Sequence, residues 1–422
     1  MREALAALTV RGRAFVAAGV TAVVCAIVLG QPALTRVGVL VLALPVVTAA
    51  VLARSRYRLA LVRTVAPQVV SAGQSARVNL TLTNEGRTPS GVLLLEDQVP
   101  YVLGSRPRFV LEGIAHGWRR HASYQVRSDV RGRFELGPMS VRVADPFGLV
   151  ELGRSFRTTA TLTVTPRTVA LPSIPLGGGW TGAGDNRPRA FATGSAEDVA
   201  VREYRRGDDL RRVHWRSSAR TGELMVRREE QPWQSRATLF IDNRASAHRG
   251  HGVASSLEAA VSAAASVAVH LTRRGFAVRL VTAAGEDVGA AWHQREAGVG
   301  AGPLLEALAV LQPVTSPRLD GSWLGEHGHG GLTVAVLGAV EALDVPVLRR
   351  MRHHAGSGLA VALDVDAWVD VDGTPGGAVP VLAQQGWRAT TLQPGDRLDS
   401  AWQELGSAVG RSSRPRGAEV AR

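Results

Sequence analysis

Two uncharged apolar runs lie near the start of the chain: Ala14–Leu29 (AFVAAGVTAVVCAIVL) and Val37–Ala53 (VGVLVLALPVVTAAVLA). Each approaches the roughly 17–25 residues that cross a bilayer as a helix. Only seven residues separate them, and Pro32 favours a tight reversal. The pattern predicts a transmembrane hairpin within residues 1–63, with spans at about 14–30 and 37–53, and Pro45 predicts a kink in the second helix. A second span so close to the first argues against a cleaved signal peptide.

From residue 64 to 171 the period falls to two. Ala76–Asn84 alternates apolar and polar residues and closes on the turn Asn84-Glu85-Gly86. Shorter alternating runs follow at 90–96, 106–111, 121–126, 138–143 and 160–164, divided by turn signals such as Arg131-Gly-Arg133 and Asp145-Pro-Phe-Gly148. About seven strands of this kind predict an antiparallel β-sandwich without visible catalytic groups. Residues 172–190, rich in Gly and Pro, read as a linker. Beyond residue 237, apolar strand-like runs (237–242, 276–282, 332–337, 359–365, 387–392) alternate with helical stretches (253–273, 303–311, 345–354, 400–409). This alternation to about residue 410 predicts a doubly wound, mostly parallel α/β sheet, and residues 411–422 read as a flexible tail.

Charge refines the picture. The chain carries 49 basic and 36 acidic residues, a net +13. Residues 1–63 hold Arg2, Arg11, Arg13, Arg36, Arg54, Arg56, Arg58 and Arg63 against Glu3 alone, a net +7. Over half the excess therefore flanks the apolar runs, which suits an anionic lipid surface better than a nucleic acid. The arginines cluster before the first run and after the second, while the connecting loop holds only Arg36. The positive-inside rule then gives a two-span plasma-membrane protein with both termini and its bulk in the cytoplasm. Every basic residue other than histidine is Arg. Schiff-base lysines, Ser-Lys dyads and Walker A loops are thereby excluded. The single cysteine, Cys25, lies in the first apolar run, which excludes thiol catalysis and disulfides.

The densest polar chemistry lies at residues 191–236. Glu197–Glu230 contains nine Arg and eight acids. Asp208 or Asp209 is placed to cap a helix beginning at Leu210, Gly222 to stop it after Arg220, and Glu223–Arg228 to follow as a strand. Such a helix aligns Arg212, Arg216 and Arg220 at intervals of four, where like charges repel unless neutralised. The neighbouring acids or an external acidic surface or phosphate would serve, and the internal network is favoured.

The series Arg202-Glu-Tyr204, Gly207-Asp-Asp209, His214-Trp215, Ser218-Ala-Arg220 and Gly222-Glu-Leu-Met-Val226 closely resembles the family catalogued as domain of unknown function 58. The resemblance extends to the paired N-terminal helices, Asp145-Pro-Phe-Gly148 and the α/β tail. It implies a bacterial membrane protein whose α/β domain is von Willebrand factor A-like. It also implies a MoxR-type AAA+ ATPase as partner, with a transglutaminase-like membrane protein as a second associate, and a docking role for the signature residues, Arg212 and Arg216 among them.

In A-type domains the end of the first strand binds Mg²⁺ through Asp-x-Ser-x-Ser. Here the residues are Asp242-Asn243-Arg244-Ala245-Ser246. Arg244 brings a positive charge and donors only, so it competes with a metal for Asp242. Leu337-Gly338 stands where a second acid is sought. No metal or cofactor is expected, and an Asp242–Arg244 ion pair is expected instead.

Catalytic signatures are few. His214 with Asp208 and Asp209 forms a conceivable acid–base pair, but a helical position favours packing. Glu326-His-Gly-His329 reads as a solvated loop, and His353-His354 as a helix end. Three functions remain open: a non-enzymatic membrane-tethered adaptor or chaperone-like module, which is favoured; a hydrolase using His214; and a nucleic-acid binder.

Overall fold

In the computed structural model the described residues are 8–54, 59–86, 92–111, 115–145, 147–176, 201–204, 213, 215–227, 236–285, 300–325, 331–369 and 377–407. Thr9 caps the first helix, its Oγ1 accepting from the Gly12 amide at 3.1 Å. Helix α1 (Val10–Leu29) ends at Gly30, whose φ of 64° favours glycine. Helix α2 (Pro32–Arg54) opens on proline, which needs no amide donor there. Both helices overrun the charge-free segments, because arginine sustains a helix well. The connection is Gly30 and Gln31 alone, so Arg36, expected in the loop, lies in α2. By length and composition Val10–Leu29 and Pro32–Ala50 could each cross a membrane, with mean hydropathies of 2.1 and 2.0.

The helices pack where buried Gly19 of α1 and buried Gly38 of α2 meet the opposite helix, whereas buried Gly12 abuts Leu8 and Leu149 instead. A Cβ on Gly19 would lie 2.7 Å from Leu42 Cγ, and one on Gly38 2.7 Å from Val23 Cγ2. Close backbone approach of this kind is how apolar helices associate where no hydrophobic force separates them from lipid. Val24, Ile27, Val28, Val39, Leu40 and Val46 face outward.

The next segment forms ten short strands among the described residues: β1 (Leu59–Ala66), β2 (Val69–Ser71), β3 (Ser75–Asn84), β4 (Leu93–Asp97), β5 (Arg108–Leu111), β6 (Arg119–Arg127), β7 (Gly132–Leu136), β8 (Met139–Ala144), β9 (Glu151–Phe156) and β10 (Ala160–Thr165). They make three small sheets, β1-β3-β6, β2-β10-β7 and β5-β4-β8-β9, antiparallel except for β2 with β10. Val78, Leu80 and Leu82 of β3 share one apolar core with Leu95, Val126, Leu136, Val141 and Val164 from all three sheets. Alternation along β3 is clean, as a one-sided core demands.

Strand β1 runs across the expected boundary at residue 63, and Arg63 is not a membrane-flanking charge. Its side chain is buried, with Nη2 2.5 Å from buried Asp97 Oδ1. Nη1 donates to the carbonyls of Leu136 (3.2 Å) and Thr158. The Tyr124 hydroxyl donates to Asp97 Oδ2 at 2.7 Å. Burial, then the bond to and charge of Asp97, raise the Tyr124 phenol far above its ordinary value. Arg131, read as part of a turn, donates to the carbonyls of Leu308 and Leu311 at 3.0 and 2.7 Å and pairs with Glu258.

The α/β part holds β13 (Arg236–Ile241), α4 (Ser256–Arg273), β14 (Ala277–Thr282), α5 (Gly302–Val310), β15 (Leu332–Leu337), α6 (Val345–His354), β16 (Ser357–Leu363), α7 (Ala378–Gln384), β17 (Arg388–Leu392) and α8 (Leu398–Ser407). All five strands are parallel, in the order β14-β13-β15-β16-β17. Every residue of β15 and β16 is buried, as expected of strands covered on both faces. Segment 172–176, the start of the expected linker, lies on this sheet's domain. Ile174 is buried, and the carbonyls of Ile174, Pro175 and Leu176 accept from Arg274, Arg388 and Ser357. The chain divides into two units, 1–169 with 250–265 and 302–312, and the remainder.

Candidate functional site

Two places carry chemistry, both in the second unit. The first is the charged signature. Strand β11 (Val201–Glu203) pairs antiparallel with β12 (Met225–Arg227), so Arg202 stands opposite Val226. The Tyr204 amide extends the ladder to the Leu224 carbonyl at 2.8 Å. Between them lies helix α3 (Trp215–Thr221). Val213 sits in a β-bridge, so the helix begins at Trp215 rather than at the expected Leu210. The cause is local: a residue paired in a sheet is extended and cannot also be helical. Gly222 ends the helix as expected, with φ 80° and its amide on the Ser218 carbonyl. The Ser218 hydroxyl accepts from the Met225 amide at 2.8 Å, tying α3 to β12. No residue of α3 is buried, and Trp215 is 71% exposed with Arg216 and Arg220 beside it in the same short helix. Gly207, Asp208, Asp209, Arg212 and His214 lie outside the described residues, as does Glu326–His329.

The second place is the carboxyl end of the parallel sheet, where strand order reverses between β13 and β15. This is the usual ligand crevice of such sheets. The Asp242 amide bonds the Val336 carbonyl at 2.9 Å and closes the end of that strand pair. Asp242, Asn243 and Arg244 are all buried. Arg244 Nε and Nη2 donate to the two oxygens of Asp242 at 2.9 and 2.8 Å. Nη1 and Nη2 donate to the two oxygens of Asp344 at 2.8 and 3.0 Å. Nη1 also reaches the Pro317 carbonyl at 3.3 Å. All five guanidinium N–H groups are thereby engaged.

Asp344 is 1% exposed and precedes α6, where its second oxygen also accepts from the Glu341 amide. Burial opposes the Arg244 charge, but bonds to and attraction by Asp242 and then Asp344 outweigh it and hold the guanidinium above its ordinary value. His248 Nε2 lies 2.6 Å from the Asp242 carbonyl. Its imidazole is pushed down chiefly by burial, partly countered by Asp242, with Arg244 and Arg249 adding to the depression. Gly338 allows this loop in: a Cβ there would stand 2.2 Å from the Ala247 carbonyl. Ser246 is exposed and belongs to no part of the cluster beyond its carbonyl, which accepts from Arg249.

The structure thus joins Asp242 and Arg244, leaves Ser246 aside and brings in Asp344 and His248, which pattern reading passed over. The second acid was sought at Leu337-Gly338 and lies six residues beyond Gly338. Its signal was an acid just ahead of Val345-Pro346, a helix-start pattern. Chemically the cluster is a cation held by two bidentate carboxylates. Every carboxylate oxygen already accepts an N–H, so a metal would have to displace the guanidinium. Among the described residues no three His, Cys, Asp or Glu side chains converge as metal ligands.

Residues 200–313 match the family described as "Protein of unknown function DUF58", which covers the signature, β13 and the Asp242–Arg244 turn. No curated protein matches the chain. Among solved structures, the CARDB domain of a Pyrococcus furiosus protein aligns at 13% identity over 26% of this chain and 94% of its own, with a TM-score of 0.21. The alkylpurine DNA glycosylase AlkC of Pseudomonas fluorescens aligns at 15% identity over 32% of this chain and 40% of its own, with a TM-score of 0.19. Likenesses this slight carry no functional weight.

Proposed function

With residues 200–313 assigned to the DUF58 family, we propose that this protein is a non-enzymatic, membrane-tethered adaptor whose signature segment docks a MoxR-type AAA+ ATPase on the cytoplasmic face. In this reading α1 and α2 span the bilayer, the β unit is a sandwich-like spacer, and the α/β sheet is a von Willebrand factor A-like platform. A transglutaminase-like membrane protein is a second candidate associate. The ATPase and its associate come from the family resemblance, and the cytoplasmic orientation from the arginine distribution.

The observation that carries the reading is the surface of α3. A tryptophan left 71% exposed beside Arg216 and Arg220, on a helix with no buried residue, costs solvation without contributing to a core. Trp and Arg are the residues most enriched among those that dominate binding energy. The strand pair β11–β12 and the Ser218–Met225 bond hold that helix in place. Meanwhile the crevice where an A-type domain would take a metal is filled by Arg244, which suits a platform that binds without an ion.

The test is affinity capture from detergent-solubilised membranes with the full chain, Trp215→Ala, and Arg216→Glu with Arg220→Glu. The reading expects an AAA+ ATPase with the unaltered chain and at least a tenfold loss with either variant. Equal recovery from all three would show that docking lies elsewhere.

A further inference from the structure

We propose that the Asp145–Val150 turn seats the β unit on the lipid surface, with the Phe147 ring entering the interfacial layer beside the start of α1. The proposal rests on the reading of α1 and α2 as bilayer spans. The described residues of the turn are tied to one another. Asp145 is buried, and its carboxylate accepts from the Phe147 amide at 3.0 Å and the Val150 amide at 2.6 Å. The Gly148 amide returns to the Asp145 carbonyl at 3.0 Å, and Gly148 takes a φ of 67°.

The same turn grips the base of the hairpin. Thr9 Oγ1 donates to the Gly148 carbonyl at 2.6 Å, and the Thr9 amide to the Leu149 carbonyl at 3.0 Å. Leu8 bridges Val150, and a Cβ on Gly12 would stand 2.1 Å from the Leu149 oxygen. The turn is therefore fixed at the first turn of α1, where Arg11 and Arg13 precede the uncharged stretch from Ala14. At that level a spanning helix passes from headgroups to hydrocarbon.

The apolar residues of the turn divide sharply. Leu149 and Val150 are 1% and 2% exposed and belong to the β core, whereas Phe147 is 59% exposed. An exposed aromatic ring at the end of an apolar span, next to arginines, fits the interfacial belt where aromatic side chains and headgroups meet. The exposed Val10 on the same first turn of α1, followed by the uncharged stretch from Ala14, favours lipid over a protein partner as the occupant.

The test is depth-dependent quenching in vesicles of phosphatidylcholine and phosphatidylglycerol carrying nitroxide-labelled lipids. An environment-sensitive NBD label is placed either on native Cys25, which is exposed on α1, or on Phe147→Cys in a Cys25→Ala background. Because Phe147 is outside the core, its replacement leaves the β unit folded. The proposal expects the label at 147 to be quenched at least twofold more by nitroxide at acyl position 5 than at position 12, while the label at 25 favours position 12. A label at 25 quenched by lipid with the label at 147 in a water-like environment would overturn the seating and leave the spans standing. If neither label were quenched, the spans and the seating would fall together.

Discussion

Replacing Arg244 by Ala would leave Asp242 and Asp344, both at most 1% exposed, facing each other without the cation that both hold in bidentate fashion. Removing one member of a buried ion cluster costs about 3–5 kcal/mol, because the remaining charge stays buried and unpaired. Here two like charges remain, which puts the loss at the upper end of that range. Two carboxylates in one dry site share a proton, so one folded-state pKa rises above its unfolded value. A carboxyl so raised is stabilised by its proton below the unfolded value, and that stability is lost as pH rises through the folded value. The defect is therefore smallest near pH 4 and grows toward pH 7 and above. Trp323, Trp387 and Trp402 are buried in the α/β part and report its unfolding by fluorescence. With a urea dependence of about 2 kcal/mol per molar, the midpoint at pH 7 should fall by about 2.5 M. A fall of less than about 0.5 M, or a defect that does not change with pH, would refute the reasoning that Arg244 neutralises the crevice.

Three further outcomes follow from particular contacts. Asp97→Ala should destabilise the β unit by about 3–5 kcal/mol by stranding the Arg63 guanidinium, and Tyr124→Phe by about 1 kcal/mol, both read by chemical denaturation. In an ultraviolet titration Tyr124 should stay silent through the range in which ordinary tyrosines ionise. Gly12→Ala should cost about 1–3 kcal/mol, because its methyl must displace the Leu149 carbonyl, and proteolysis within residues 145–150 should accelerate. The His248 ring should titrate below the ordinary histidine range in heteronuclear NMR. Its neutral form is the folded one, so protonation at acid pH destabilises the α/β part.

Legibility in the sequence followed the length and regularity of each signal. The fully buried strands β15 and β16 showed as continuous apolar runs, and β3 as strict alternation, because burial on two faces or one dictates those patterns. Strands β7 and β9 are five and six residues long and carry glycine and charge, so the start of β7 resembled a turn and β9 gave no alternating signal. Strand β1 hid among arginines counted as membrane-flanking, since one-dimensional charge counting cannot see that Arg63 is buried against Asp97. Asp242 and Arg244 were legible because they lie two residues apart and interrupt a metal-binding pattern. Asp344 lies a hundred residues on, and only the parallel pairing of β13 with β15 brings their ends together. Gly19 and Gly38 stood in the apolar runs, but hydropathy alone does not distinguish a packed face from an exposed one. Before α3, the bridge at Val213 rules out one continuous helix from Leu210 to Arg220, while Asp208 and Asp209 lie outside the described residues.

A hairpin of two apolar helices with everything after it on one side of the bilayer is the premise of the proposed function. The most direct measurement is protease protection of the full chain, with a C-terminal epitope, in sealed vesicles of both orientations. The epitope and the α/β part should be digested in inside-out vesicles and protected in right-side-out ones until detergent is added. Digestion from the outside of intact right-side-out vesicles would contradict that premise.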